Sequence, residues 1–180
     1  MNQEEQMVNA TDIEASLTLE TLKKYLSYDP NSGIFVWLVC EGNRKSNSRA
    51  GMVAGSVKAK SGYNYIWIEG RHYLAHRLAW LYVYGEWPSE HVDHRDGDKL
   101  NNRILNLRLA SNSQNKSNGK LYKHSTSGFK GVSKVGKRWK AQIVHGYKNI
   151  YLGCFDTKEQ AHNAYINKAN ELQGEFARSA

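Results

Sequence analysis

The stretch from Val92 to Asn118 constrains this chain more than any other part of its sequence. It reads VDHRDGDKLNNRILNLRLASNSQNKSN, so an acid and a histidine stand side by side before a loop rich in amides. A short apolar run and a second amide cluster follow it. This order predicts a β-hairpin and then a helix, with polar side chains gathered where the elements meet.

Asp93 and His94 are residue types suited to the hydrolysis of a phosphodiester. A hard cation with oxygen ligands offsets the phosphate charge, and the Asp93 carboxylate is such a ligand. His94, with an ordinary pKa of about 6.5, suits a general base near neutral pH. Neighbours in a strand point to opposite faces, so both serve one site only if the strand ends there. The turn signal over residues 96–98 predicts that end.

The returning segment supplies amide groups to the same place. We predict a strand over residues 105–109 and a short helix that begins with a capping box at Ser111. Asn115 then lies in the first helical turn, where its amide oxygen can meet a metal. Asn106, on the returning strand, can bridge the backbone of the long loop and orient His94. Turn or capping chemistry explains each residue better when it is taken alone, but the whole set in this order indicates a site.

Upstream of this stretch the pattern predicts two helices and a small antiparallel sheet. The predicted elements are a short helix from Thr18, a strand over 34–37, strands over 53–57 and 63–68 with a turn at Glu69-Gly70, and a helix over 74–84. In the second helix, His76 and Arg77 could contact phosphate. A histidine packed in the core and an exposed arginine fit the pattern equally well.

The charge of the chain indicates what kind of partner it binds, and its few cysteines indicate a reducing compartment. The formal net charge is +8 with pI near 9.4, and from Leu121 onward ten basic residues stand against four acidic ones, so a polyanion such as DNA is the expected partner. Cys40 and Cys154 are far apart, so neither a disulfide framework nor a structural zinc site is expected. No apolar run approaches membrane-spanning length, and the acidic start does not predict a signal peptide.

The last third of the sequence predicts a separate domain behind a polar linker. Three strands, over 130–134, 138–144 and 147–153, precede a helix that Thr157 caps. Alternation puts Ala141 and Ile143 toward the helix. Cations, amides and rings line the other face, which suits contacts with phosphates and base edges: Arg138, Lys140, Gln142, Asn149 and Tyr151.

The central stretch resembles the HNH endonuclease family, in particular phage and intron-encoded homing enzymes. The segments YDPNSGIFVW, AHRLAWLYVYGEWP and NNRILNLR extend the similarity beyond the motif. The resemblance implies a ββα-metal (His-Me finger) fold. It also implies a metal ligand at Asp93, a general base at His94, the central asparagine at Asn106 and the last ligand at Asn115, with Asn118 as a further candidate.

One departure from the family pattern concerns the metal. Asn115 stands where the histidine that names the family is expected, and no second histidine follows it in the predicted helix. Oxygen ligands favour Mg²⁺, with Mn²⁺ as the alternative, over the zinc ligation of related toxin nucleases.

The carboxy-terminal segments GFKGVSKVGKRWKAQI and IYLGCFDTKEQAHNAY resemble the Apetala/ethylene-response-factor DNA-binding domain. That family reads the major groove with a three-stranded sheet. The positions of this chain that match its contacts are Lys130, Ser133, Arg138, Gln142, Asn149 and Tyr151.

These patterns together predict an α+β protein of two domains. The expected division is a flexible start at 1–17, a nuclease domain at 18–119 with its motif at 92–118, a linker at 120–128 and a DNA-binding βββα domain at 129–180. The expected function is a site-selective, metal-dependent DNA endonuclease of double-stranded DNA. It would act in the cytoplasm, that of the host bacterium if phage-encoded, with no obligate protein partner. A non-catalytic DNA-binding regulator is the alternative, and an RNA-directed nuclease is a third hypothesis.

Overall fold

The computed structural model describes residues 14, 16–38, 50–117, 125–146 and 148–177. The chain forms two compact units, residues 1–109 and 110–180. Asn118 and most of the predicted linker at 120–128 lie outside the described residues. Within the described part of the chain, no helix combines the length and the apolar character needed to cross a bilayer.

The described part of the first unit contains two α-helices and three small antiparallel sheets. Its helices are α1 (Leu19–Tyr25) and α2 (Ala75–Tyr84). Its strands are β1 (Leu26–Asp29), β2 (Ile34–Trp37), β3 (Ser56–Val57), β4 (Asn64–Ile68), β5 (Arg71–Leu74) and β6 (His91–His94). Strand β1 pairs with β2, β4 lies between β3 and β5, and β6 pairs with β7 (Leu107–Ala110), which runs to the unit boundary.

Helix α2 packs against β4 and β5 and supplies much of the hydrophobic core of the first unit. Leu78, Ala79 and Leu81 are buried, as are Ile66 and Ile68 of β4. The helix ends as the sequence predicts, because Gly85 takes the left-handed conformation at φ 83°. The predicted turn between β4 and β5 is also present, with Glu69 at φ 47° and Gly70 at φ 80°.

The strand predicted over 53–57 is confined to Ser56–Val57, and two further element boundaries in this unit are wrong. The first helix ends at Tyr25, and Leu26, which helical spacing from Leu19 and Leu22 predicts on its apolar face, begins β1 and pairs with Trp37. Strand β7 begins at Leu107, so Asn106 lies in a 3-10 turn over Ile104–Asn106 and not on the returning strand. In both places tertiary pairing overrides a local pattern that fits helix and strand alike.

The second unit consists of a short helix, α3 (Asn112–Ser117), and a sheet covered by a long helix. The sheet runs in the order β10 (Lys148–Phe155), β9 (Arg138–His145), β8 (Val132–Val135), and the long helix is α4 (Lys158–Gln173). The predicted capping box at Thr157 is present. Ala141 and Ile143 pack against Ala161 and Tyr165 of α4. Strand β8 begins two residues later than predicted, so Lys130 lies in the preceding turn.

The β1–β2 turn lies against the segment that follows β6. Gly33 is buried at φ +75°, and a Cβ built on it would lie 2.4 Å from Arg103 N and 2.5 Å from the carbonyl carbon of Asn102. The Tyr28 hydroxyl donates to the Asn102 carbonyl at 2.7 Å. The amide of Ile104 donates to the Pro30 carbonyl at 3.1 Å. This turn therefore fixes the backbone around Asn102.

We predict that Gly33→Ala destabilises the first unit by on the order of 3 kcal/mol, because the new methyl group strains the left-handed backbone and displaces the Asn102 segment. Gly70→Ala is the matched control, since Gly70 has φ +80° and nothing within 4 Å of its Cβ position. Its expected cost is about 1 kcal/mol. Urea unfolding followed by tryptophan fluorescence measures both, and equal losses would contradict the close approach.

Candidate active site

Strand β6 ends at His94, where the sequence predicts the end. The amide of Gly97 donates to the His94 carbonyl at 2.9 Å, and the amide of Arg95 donates to the Asn106 carbonyl at 2.8 Å. Asp93 and His94 are both buried. Their side chains contact different partners, Asn102 for His94 and Arg108 for Asp93.

The imidazole of His94 is held by an amide and by two rings. Nε2 lies 3.1 Å from Asn102 Oδ1, and since an amide oxygen only accepts, Nε2 is the donor. The His76 ring stands edge-on to it, with centroids 5.0 Å apart, and the Tyr63 ring lies 6.0 Å away. His94 is 3% exposed. Its orientation is therefore set from several sides.

Burial lowers the pKa of His94 below the ordinary value. The hydrogen bond that His94 donates to Asn102 and the charges of Asp96, Asp93 and Asp98 oppose this effect without cancelling it. The ring is therefore neutral near pH 7. A neutral imidazole is the form that can accept a proton.

Asn106 ties the two ends of the loop together, as the sequence predicts. Its Oδ1 accepts from the amide of Asp96 at 3.2 Å. Its Nδ2 donates to Asp96 Oδ1 at 3.0 Å and to the Asn101 carbonyl at 2.8 Å. The residue that contacts the His94 ring is Asn102, however, so Asn106 acts on the loop backbone.

Asp93 forms a buried ion pair with Arg108 of β7. Arg108 Nε and Nη2 both approach Asp93 Oδ2, at 3.0 Å and 2.9 Å. Both side chains are about 6% exposed. Pairing of β6 with β7 thus places the Arg108 guanidinium beside the carboxylate that the sequence predicts as a metal ligand.

Asn115 belongs to α3, in the second unit. The Ser111 hydroxyl accepts from the amide of Gln114 at 3.3 Å, and Gln114 Oε1 accepts from the amide of Ser111 at 2.8 Å. This is the predicted capping box. The amide of Asn115 donates to the Ser111 carbonyl at 2.9 Å, which places Asn115 in the first helical turn.

The residues that the sequence predicts as metal ligands are oxygen donors. Among the described residues, no three histidine, cysteine or acidic side chains form a group that could hold a metal. The proposed ligands are instead one carboxylate, Asp93, and one amide, Asn115. Oxygen donors of this kind fit Mg²⁺ or Mn²⁺.

Arg77, a predicted DNA contact, is engaged within the first unit. Its guanidinium pairs with the Glu14 carboxylate, with Nη2 at 2.6 Å from Oε2. It also donates to the carbonyls of Pro88 and Glu90, at 3.1 Å and 3.0 Å. These contacts favour a structural role for Arg77 over a phosphate contact.

The register of the second sheet places most of the predicted DNA-contacting residues on one face. Ser133 is opposite Lys140, and Gln142 is opposite Tyr151, which is 63% exposed. Arg138 and Asn149 share the face by alternation. Arg138 pairs with the exposed carboxylate of Asp156 at 3.1 Å.

Asn102 and Arg108 are the two residues of this region that the sequence reasoning missed. Asn102 lies eight positions after His94 in an irregular loop, where spacing says nothing about contact. A signal for Arg108 was present, because it is the one charged residue of the LRLA strand, and a buried arginine requires an acidic partner.

A family model and a viral relative connect this chain with the HNH endonucleases. Residues 73–117 match the model of the family described as HNH endonuclease. An uncharacterized HNH endonuclease of Acanthamoeba polyphaga mimivirus is 41% identical over 125 residues, which cover 66% of this chain and 62% of that protein. Protein 3.8 of Escherichia phage T7 is 35% identical over 106 residues, which cover 57% of this chain and 87% of that protein.

A solved structure of DNA binding and cleavage by the HNH homing endonuclease I-HmuI is 22% identical with a TM-score of 0.41, over 57% of this chain and 55% of that chain. The family model covers β5 through α3, which includes Asp93, His94 and Asn106. The chain belongs to the HNH endonuclease family.

His76 gives the first unit a pH-dependent stability. Burial, and then the charges of His94 and Arg77, lower the pKa of His76 to about 3. The Tyr63 ring covers its other side at 5.1 Å. Since the ordinary pKa is 6.5, His76 is protonated in the unfolded chain before it is protonated in the folded one. The folded state therefore loses stability as pH falls from about 6.5 toward 3.

We predict that His76 lowers the free energy of unfolding of the wild type by about 2 kcal/mol when the pH falls from 7 to 5, because the unfolded chain takes up the proton first. His76→Phe keeps a ring but cannot take up a proton, so its loss over the same range should be smaller by that amount. Urea unfolding at the two pH values measures both proteins. An equal pH dependence would show that His76 is not the group responsible.

Proposed function

We propose that this protein is a divalent-cation-dependent, site-selective DNA endonuclease of the homing type, in which His94 is the general base. The observation that carries the proposal is the state of His94. The ring is buried and neutral, and an amide hydrogen bond orients it next to an acid, in a segment that matches the HNH endonuclease family.

The proposed reaction is the attack of water on a phosphodiester. His94 accepts the proton of the attacking water, an O–P bond forms, and the bond from phosphorus to the 3′ oxygen breaks. The departing 3′ oxygen takes up a proton from solvent water, and His94 later returns its proton to solvent. The products are a 5′-phosphate and a 3′-hydroxyl. Asn102 keeps the base oriented through Nε2, and Asn106 keeps the loop that carries Asn102 closed on Asp96.

Asp93 and Asn115 are the proposed ligands of the cation, Mg²⁺ by preference. When bound, such an ion offsets charge on the phosphate and the leaving oxygen. Two facts support this ligand assignment: both side chains offer oxygen donors, and both residues stand in the order expected of the motif.

The second unit is the proposed source of DNA affinity. Its support is the basic sheet face described above, together with the resemblance to a plant DNA-binding domain that reads the major groove with three strands. Lys130, in the turn before β8, belongs to the same proposed surface. Contacts from such a face to phosphates position a protein on DNA, and contacts to base edges select a sequence.

We predict that His94→Ala lowers the rate of cleavage of supercoiled phage DNA in Mg²⁺ by about 10²- to 10⁴-fold, because the water loses its proton acceptor. Gel analysis of nicked and linear products measures the rate. His91→Ala is the matched control, since His91 lies on the same strand and is exposed. It should cleave at the wild-type rate.

Two outcomes would contradict this assignment. Full activity in His94→Ala would exclude His94 as the base. Salt-sensitive DNA binding by the wild type without cleavage in Mg²⁺ or Mn²⁺ would favour the non-catalytic regulator instead.

For the second unit, we predict that Lys140→Ala weakens binding to duplex DNA in EDTA and reduces the slope of log K against log salt by about 1, the value for one lost phosphate contact. Fluorescence anisotropy at several salt concentrations measures the slope. Lys158→Ala removes the same charge from α4, which covers the opposite sheet face, and should leave the slope unchanged. Equal effects would assign the loss to net charge alone.

A further inference from the structure

The ion pair between Asp93 and Arg108 bears directly on how the proposed site holds a cation. Both Nε and Nη2 of Arg108 converge on one oxygen, Asp93 Oδ2. The pair is buried in the hairpin of β6 and β7. An arginine side chain stays protonated at any ordinary pH, so this positive charge is permanent.

The guanidinium offsets the charge of the proposed ligand. Asn115, the other proposed ligand, carries an amide and no charge. The two proposed ligands and Arg108 therefore carry no net charge among them. The affinity of oxygen ligands for divalent cations rises with the number of ligand charges, so a site of this composition binds a dication weakly.

The other two acids of the loop are used as turn acceptors. Asp96 accepts from Nδ2 of Asn101 at 2.6 Å and from the amide of Asp98 at 2.8 Å. Asp98 accepts from the amide of Leu100 at 3.0 Å. Their hydrogen bonds hold the loop and give both carboxylates a structural role.

We infer that Arg108 makes cation binding at Asp93 depend on bound DNA. The scissile phosphate supplies negative charge that the Asp93–Arg108 pair lacks. The cation therefore binds tightly at Asp93 only when DNA is bound. Magnesium sites built from one carboxylate and substrate phosphates follow this principle. By linkage, DNA strengthens cation binding by the same factor as the cation strengthens DNA binding at the site. The inference rests on the proposed function, and it makes Arg108 a positioning and charge-setting residue.

The test is Mn²⁺ binding to the DNA-free protein, measured by electron paramagnetic resonance. We expect a Kd of about 1 mM for the wild type, the range of sites with few charged ligands. Arg108→Met leaves the Asp93 charge without its guanidinium, and its Kd should fall by at least about tenfold. Arg108→Lys keeps the positive charge and should bind as weakly as the wild type. The double variant Asp93→Asn, Arg108→Met should lose the gain, because Asp93 is the ligand.

Arg108→Met leaves a buried carboxylate unpaired, so circular dichroism must show that it folds. If it does not fold, the wild type still decides the matter. A wild-type Kd of about 10 μM or tighter without DNA would overturn the inference. A folded Arg108→Met that binds Mn²⁺ no more tightly than Arg108→Lys would also overturn it.

Failure of this inference and failure of the proposed function give different results. Wild-type protein that cleaves DNA and also binds Mn²⁺ tightly without DNA refutes only the role of Arg108. Wild-type protein that cleaves no DNA in Mg²⁺ or Mn²⁺ refutes the proposed function itself.

Discussion

The position of Asn102 is the constraint on which the candidate site depends. Its side chain holds Nε2 of His94, and its carbonyl accepts from the Tyr28 hydroxyl, which comes from a hairpin more than seventy residues earlier. Gly33 allows that hairpin to approach without a Cβ in the way. Both polar groups of Asn102 are buried, so losing either partner costs the desolvation of the group left behind. The β1–β2 hairpin therefore helps to orient the proposed base.

The polar residues of the site are paired in a way that suits a buried reaction centre. Asp93 has Arg108, His94 has Asn102, and Asn106 closes the loop on Asp96. Buried charges and amides are tolerated because each has a partner. Within this set, the charge of Arg108 offsets that of Asp93. A preorganised site with a separate basic sheet is consistent with the proposed division between chemistry and DNA affinity.

Local patterns predicted the helix ends, turns and caps well, because these depend on residues within a few positions. Gly85 ends α2, Glu69-Gly70 turns β4 into β5, and Thr157 caps α4. The boundaries that failed lie where pairing with a distant strand decides between helix and strand. Leu26 fits an apolar helix face as well as it fits β1, and only Trp37 opposite it selects the strand.

The sequence by itself determined the residue types of the site, their order, and the alternation that sorts the second sheet into an apolar and a polar face. Chemistry and period are local properties that can be read from neighbouring residues. Tertiary structure alone decided that Asn102 and not Asn106 touches His94, that His76 packs against the base, and that Arg108 pairs with Asp93. These contacts join residues from different strands, loops and helices. Spacing along a chain does not specify which of several amides or cations a folded backbone brings within 3 Å.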